Sequence, residues 1–325
     1  MNSINRSILL RILSPLVTLG YHLASLKVAT RVVLDKLGKP SYESPSCFRI
    51  IVHLRTVSKI LERIVASRLL LAAHSRGLIH PNECGSLPGL NTYDACLTLM
   101  NDLRALQRPR LKVSSLFLDI KAGFDNVDNP TLARILREGG IPHYLVSWVT
   151  SFLGECSCPL VFQGAPGTPA PVNVGAPPGS PISPLRFLIY VAPLHFRIPR
   201  GLMLSYVDDF ALTTTSFSYR GNIRRLQALF RTIQARAVRL GISFSVLKTD
   251  LIQWRTPSPR HSQLCLSPIQ LDGEIFHPLD SLPWLGYWFT PTLSTSTHFC
   301  ASSKSFCPRQ TPQPPRGTAR PLPLP

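Results

Sequence analysis

Gly201-Leu-Met-Leu-Ser-Tyr-Val-Asp-Asp-Phe-Ala-Leu-Thr213 is the stretch on which the fold turns. Asp208 and Asp209 stand side by side in an otherwise apolar run. Leu202, Leu204 and Tyr206 alternate before the pair, and Phe210, Leu212 and Thr214 after it, the period of a β-strand. Two like charges in a half-buried hairpin are costly unless something neutralises them. A divalent metal would do so, with a third carboxylate from elsewhere completing its oxygen cage. A polar turn tip between two strands is the plainer alternative, because Asp is a common turn former. The rest of the chain has to decide between them.

A third carboxylate lies upstream. Leu111 to Ile120 reads as a strand that ends in Asp119. Nucleotidyl transfer needs two metal ions about 3.5–4 Å apart to hold the attacking and leaving oxygens in line. Carboxylates at strand ends suit such ions, because a sheet fixes their relative positions and Mg²⁺ prefers oxygen. Asp119 and Asp208 converge if their strands are neighbours.

Composition narrows the partners. A net charge of +18 and a pI near 10.1 over 325 residues point to a polyanion, most simply nucleic acid. The eight cysteines contain no CxxC pair, and only Cys156 and Cys158 lie close together, so reduced intracellular thiols are expected rather than a zinc site or disulfides. Arg11, Pro15 and His22 break the apolar N-terminus, and no clean cleavage site follows it. No run approaches the ~20 apolar residues of a membrane span. The expected location is intracellular, nucleus or cytoplasm, without secretion or a membrane.

Along the chain, residues 8–35 read as one or two helices ending in a short strand, Val32 to Leu34, and Phe48 to Leu54 as another strand. From Thr56 an amphipathic helix is expected, with Val57, Ile60, Leu61, Ile64 and Val65 inward, Lys59, Glu62 and Arg63 outward, and Gly77 as its stop. Thr92 can cap a helix running to about Leu106. Asn129 as N-cap with Pro130 behind it starts a helix over 131–138, and Pro142 starts another through Leu153. A Pro/Gly-broken hairpin over 159–174, a tight loop at 175–181, an apolar helix near 183–195 and an amphipathic helix over 222–240 follow. Strand segments near Ile242 and Leu251 flank Lys248, and Trp284 to Phe289 is the last regular element. This order predicts an α+β fold, an antiparallel sheet with helices on one face. Residues 299–325 are rich in proline, contain no acid and are expected to be disordered.

Several segments resemble the motifs of reverse transcriptases. Phe117-Leu-Asp-Ile-Lys-Ala-Gly-Phe-Asp-Asn-Val127 is similar to the first catalytic motif, Gly175-Ala-Pro-Pro-Gly-Ser-Pro-Ile-Ser-Pro184 to the second, and Tyr206-Val-Asp-Asp209 to the Tyr-X-Asp-Asp box. Leu240 to Ser245 with Lys248-Thr249, and Trp284-Leu-Gly-Tyr287, resemble the two motifs that follow. Phe48-Arg49, Ser58 to Arg63 and Gly85 to Gly89 with Thr92 and Asp94 resemble the fingers motifs of the non-LTR, LINE-type subfamily, phrased most like its fungal elements.

The resemblance covers about residues 30–298. It implies a right-hand polymerase with fingers at 30–110, a palm with part of the fingers at 111–290, and a poorly defined helical segment at 1–29. Two Mg²⁺ ions, or Mn²⁺, would serve extension of a DNA primer on an RNA template with deoxynucleoside triphosphates. Asp119, Asp208 and Asp209 would be the catalytic acids and metal ligands. Phe124 would pack under the deoxyribose and exclude a 2′-hydroxyl, with plain core packing as its other role. Arg49 and Lys36 would neutralise the triphosphate, Lys248 would stand near the leaving pyrophosphate, and Gly179 and Ser180 would form the loop against template and nucleotide.

The departures are specific. Pro178 stands where the family has Gln, which removes a polar side chain and fixes a backbone angle. Arg186 falls in a helix suited to burial, where it must snorkel or disturb the packing. Cys84 and Arg49-Ile-Ile51 also replace more typical residues. No thumb is recognisable, and the residues after His298 look like a shifted reading frame, as in a truncated, decayed element. The expectation is a weak or inactive polymerase; the rivals are a non-catalytic nucleic-acid-binding remnant and an unstable pseudogene product.

Overall fold

The computed structural model describes residues 3–38, 41–154, 157–171, 175, 178–199, 202–255 and 267–293. The tail at 299–325 lies outside the described residues, as do positions 176 and 177 of the loop at 175–181.

The chain opens with α1 (Ser3–Thr18), then a hairpin of β1 (Ala29–Asp35) and β2 (Phe48–Leu54), and two helices, α2 (Thr56–Ser75) and α3 (Thr92–Leu106). Next come β3 (Lys112–Asp119), α4 (Asn129–Glu138) and α5 (His143–Leu153). Four short strands follow, β4 (Ser157–Cys158), β5 (Leu160–Phe162), β6 (Ala165–Pro166) and β7 (Ala170–Pro171). Then α6 (Ser183–His195), β8 (Met203–Tyr206), β9 (Asp209–Ser216), α7 (Tyr219–Arg239) and β10 (Asp250–Trp254) build the remaining centre. Two small hairpins close the described chain, β11 (Ile269–Leu271) with β12 (Glu274–Phe276), and β13 (Leu282–Trp284) with β14 (Tyr287–Phe289).

The first sheet has the order β2-β1-β5-β6, and the central sheet the order β10-β3-β9-β8, antiparallel throughout. Eight residue pairs tie β3 to β9, from Lys112 opposite Ser216 to Asp119 opposite Asp209. The Asp119 and Asp208 strands are therefore neighbours, as convergence required.

The α+β class is as expected, and the covering of the sheet goes beyond the expected single helical face. Leu116, Leu118, Phe210 and Leu212 pack on the core that contains α5, α6 and α7. Val113, Phe117, Leu204 and Ala211 point the opposite way, onto Leu99 and Leu103 of α3 and onto Trp284 and Phe289. With both faces covered, the strands lose their polar-out alternation: Met203, Leu204 and Ser205 are all buried. The hairpin is half-buried at its tip, Tyr206 to Asp209, as expected from the spacing, and buried along its strands.

Two caps shift by one residue. Asn91 rather than Thr92 caps α3; its side chain accepts from Tyr93 and Asp94, and the Asp94 carboxylate accepts the Asn91 N–H at 2.9 Å. Asp128 rather than Asn129 caps α4, accepting the Thr131 N–H at 2.9 Å. The Asn91 amide oxygen takes the first amides of α3 in place of the Thr92 hydroxyl, and the Asp128 carboxylate takes that of α4 in place of the Asn129 amide.

The inward face of α2 also differs from the expected one. Ser58, Leu61, Glu62, Val65 and Leu69 are buried, whereas Val57 and Ile60 are exposed. The stripe through Leu61, Val65, Leu69 and Ala73 carries Glu62 inward with it, because Ser58 and Ser180 stand ready to bond its carboxylate.

Candidate active site

β8 and β9 are joined by only two residues, Val207 and Asp208, with Tyr206 paired to Asp209 across the turn. The Asp208 carbonyl accepts the Ile120 N–H at 3.0 Å, which seats the turn against the end of β3. Asp119 ends β3 directly opposite Asp209. Three carboxylates from two distant sequence segments thus gather at one end of the central strands.

Their charge is only partly compensated. Burial raises the Asp208 carboxyl, its own backbone N–H opposes this, and the Asp119 charge adds to the rise. Asp209 is pushed up to about 7, by burial first and by the charges of Asp208 and Asp119 after it. Lys248 opposes both shifts. It sits on the one-turn helix Val246–Lys248, and its Nζ donates to Asp119 Oδ2 at 2.8 Å. That turn is laced to the strand by the Ser245 N–H, which donates to the Asp119 carbonyl at 2.7 Å.

A cleft of about 870 Å³ opens beside the acids. Lys36, Arg49, Asp119, Phe124, Gly179, Asp208 and Lys248 all line it, so seven of the nine residues singled out in the sequence meet in one space. Arg49 is exposed on β2, paired with Leu34 of β1. Phe124 lies flat on Phe187 of α6, ring centroids 4.8 Å apart, and still lines the cleft, so its packing role and its cleft role coexist. Pro178, the departure noted in the sequence, lines it too, as do Asp125 and Glu43, which no sequence signal pointed to.

Gly179 is required twice over. Its φ is +101°, and an added Cβ would lie 2.9 Å from the Val52 carbonyl. The Val52 N–H donates to the Pro178 carbonyl at 2.8 Å, so the loop is stitched to β2. Ser180 does not face the cleft: it is 3% exposed, and its hydroxyl donates to Glu62. The sequence reading placed Ser180 at the nucleotide; the buried Glu62 carboxylate draws it inward.

Arg186 neither snorkels nor breaks the helix. It is fully buried in α6, donates to Asn129 Oδ1 at 3.3 Å, and its charge opposes the rise of the Glu62 carboxyl. Burial is the main cause of that rise, and the Ser180 and Ser58 hydroxyls moderate it more than Arg186 does.

Among the described residues, no group of three or more His, Cys, Asp or Glu stands ready to hold a metal ion, and no helix is long and apolar enough to cross a membrane. The donor chemistry nevertheless suits a hard cation: three carboxylates, all oxygen, with two of them raised by burial and mutual repulsion.

Comparison with known proteins gives one consistent family. The chain is 26% identical over 288 residues to a probable RNA-directed DNA polymerase from transposon BS of Drosophila melanogaster, covering 86% of this chain and 31% of that protein. It is 25% identical over 306 residues to the RNA-directed DNA polymerase from mobile element jockey of the same organism, covering 91% and 32%. It therefore spans about a third of the length of these relatives. Among solved structures, a telomerase from Candida tropicalis truncated from its C-terminal domain matches in fold, with a TM-score of 0.53 at 13% identity over 84% of this chain and 55% of that one. The family model described as reverse transcriptase (RNA-dependent DNA polymerase) matches residues 37–289, and the chain belongs to that family.

Proposed function

We propose that this chain is the polymerase core of a non-LTR retrotransposon reverse transcriptase, adding deoxynucleotides to a primer 3′ hydroxyl on an RNA template. The observation that carries the reading is the convergence of Asp119 and the Asp208-Asp209 turn beside a cleft that also presents Lys36, Arg49 and Lys248. The central sheet with its helices corresponds to a palm over 111–290, and the β1-β2 hairpin with α2 and α3 to fingers over 30–110.

Asp119, Asp208 and Asp209 would hold the divalent ions, Mg²⁺ or Mn²⁺. When bound, such ions supply Lewis-acid activation of the primer hydroxyl and charge neutralisation at the leaving pyrophosphate. Arg49 and Lys36, which line the same cleft, neutralise the triphosphate. Lys248 is placed to follow negative charge from Asp119 to the pyrophosphate. Phe124 excludes a 2′-hydroxyl by bulk, because its ring is held against Phe187 and offers the hydroxyl nothing polar. Gly179 lets the loop lie flat on β2 and leaves the nucleotide its space.

Arg186 gives no reason to expect inactivity, since its charge is accommodated inside by Asn129 and Glu62. Pro178 is the departure that lies in the cleft itself. Primer extension on poly(rA)/oligo(dT) with Mg²⁺ or Mn²⁺ tests the proposal. Synthesis that disappears in Asp208→Asn is expected; no synthesis with either ion, or synthesis that survives the substitution, overturns it.

A further inference from the structure

The turn that presents Asp208 is built from unsuitable residues. A two-residue hairpin turn with a positive φ at its first position normally has glycine there. Here that position is Val207, at φ +59°. A β-branched residue in left-handed backbone is strained and persists only where its surroundings over-determine it.

The surroundings are a short segment from the loop before α3. Residues 82–85 run parallel to β8 along its outer edge: the Ser205 N–H donates to the Asn82 carbonyl at 3.0 Å, and the Cys84 N–H to the Ser205 carbonyl at 2.9 Å. Asn82 Nδ2 donates to the Met203 carbonyl at 2.8 Å. Between these ties Glu83 turns inward and is 4% exposed. Its Oε1 accepts the Gly85 N–H at 3.0 Å and the Val207 N–H at 3.3 Å, and its Oε2 accepts the Ser205 hydroxyl at 2.6 Å. Ser205 Oγ also lies 2.8 Å from His195 Nε2. Gly85 presses on the turn, where an added Cβ would come within 2.5 Å of the Val207 nitrogen and Cγ2.

We propose that Glu83 is a positioning residue: its carboxylate clamps the Val207 N–H and fixes the left-handed turn that aims Asp208 and Asp209 at their cation. This rests on the metal-site reading above. The clamp works through geometry rather than charge. In Glu83→Gln the side-chain oxygen keeps both backbone bonds, while the amide donates to Ser205 Oγ and the Ser205 hydroxyl turns to His195. Glu83→Ala loses all of them. Gly85→Ala crowds the same turn without touching a charge.

The test uses the whole chain, with Mn²⁺ alone as probe followed by electron paramagnetic resonance, and amide hydrogen exchange over residues 202–210. Asp208→Asn is expected to abolish Mn²⁺ binding. Glu83→Ala and Gly85→Ala should each weaken it tenfold or more and speed exchange at Val207, while Glu83→Gln stays within threefold of wild type in both readings. Wild-type Mn²⁺ affinity and exchange in Glu83→Ala, or a loss in Glu83→Gln equal to that in Glu83→Ala, overturns the proposal. If Glu83→Ala shows no cooperative melt, Gly85→Ala carries the same comparison. Undiminished Mn²⁺ binding in Asp208→Asn would remove the metal-site reading instead, and exchange at Val207 would then decide the clamp by itself.

Discussion

Lys248 Nζ lies 2.8 Å from Asp119 Oδ2, joining residues 129 positions apart at the mouth of the cleft. The lysine side chain is 61% exposed and the aspartate 18%, so the pair stands at the boundary between solvent and the acid cluster. A cation on a flexible stem therefore occupies one oxygen of the donor set, and a metal ion has to displace it.

Replacing that lysine separates two effects. Lys248→Met frees the Asp119 oxygen, so Mn²⁺ should bind about two- to fivefold more tightly, the range expected when a half-exposed ion pair is removed. Primer extension at saturating metal should slow, because the charge that follows the pyrophosphate is gone. Paramagnetic titration and single-turnover extension measure the two. Weaker Mn²⁺ binding would show that Lys248 organises the site instead of competing for it.

The buried polar layer between α2 and α6 supports a second prediction. Glu62 and Arg186 are both fully buried, and the positive charge of one moderates the carboxyl of the other. Removing one member of a buried charged network typically costs about 3–5 kcal/mol, whereas removing both is often close to neutral. Arg186→Met should therefore lower stability in urea unfolding, and Arg186→Met with Glu62→Gln should recover much of the loss. A double-mutant cycle that is additive would show that the two charges are independent.

What the sequence revealed and concealed follows from the range of each interaction. The motifs at Asp119 and at Asp208-Asp209 were legible because strand period and turn chemistry are local, and the β3–β9 pairing then brought them together. Lys36, Arg49, Phe124, Gly179 and Lys248, which share the cleft with Asp119 and Asp208, are legible only through the resemblance of their motifs. Ser180 was misplaced because its partner, Glu62, is 118 residues away. Glu62 was placed outward because a carboxylate counts as polar until its partners are known; only the stripe through Leu61, Val65, Leu69 and Ala73 hinted otherwise. The second covered face of the sheet is not legible in the strand period of Val113 and Phe117, because what covers it, α3 and the distant β13–β14 hairpin, belongs to other elements.

Buried histidines set a pH dependence. Burial first, and the Lys27 charge second, lower His22 to about 4; burial first, and His80 second, lower His195 to about 3. Both fold in the neutral form, so the unfolded chain binds more protons between these values and the ordinary 6.5. Stability is then fully present above pH 6.5 and lost as pH falls towards 4, by roughly 1.4 kcal/mol per pH unit for each histidine at most. Glu83 opposes them, since burial pushes its carboxyl up to about 7, and its contribution is present below pH 4.5 and lost as pH rises through 7. Asp209, raised to about 7, and Glu62 and Asp208, also raised by burial, oppose the histidines in the same way. The readout is therefore a difference: urea unfolding across this range should show a stability profile that rises more steeply with pH in Glu83→Gln than in wild type. Equal slopes in the two proteins would mean that the Glu83 carboxyl is not raised in the fold.

Pro178 provides the sharpest test of the polymerase reading, because its backbone and side chain have separable tasks. Its carbonyl holds the Val52 N–H at 2.8 Å, a bond that any residue can make, while its ring lines the cleft and offers no polar atom. Pro178→Gln keeps the carbonyl and adds an amide where the nucleotide is expected. One hydrogen bond to a charged partner contributes about 1.5–3 kcal/mol, so KM for the incoming deoxynucleotide should fall roughly tenfold or more. The rate at saturating nucleotide should change less, and the melting temperature little, since Gly179 still supplies the turn. Steady-state extension across a nucleotide series reads this directly. An unchanged KM would place the nucleotide away from the 178–179 loop.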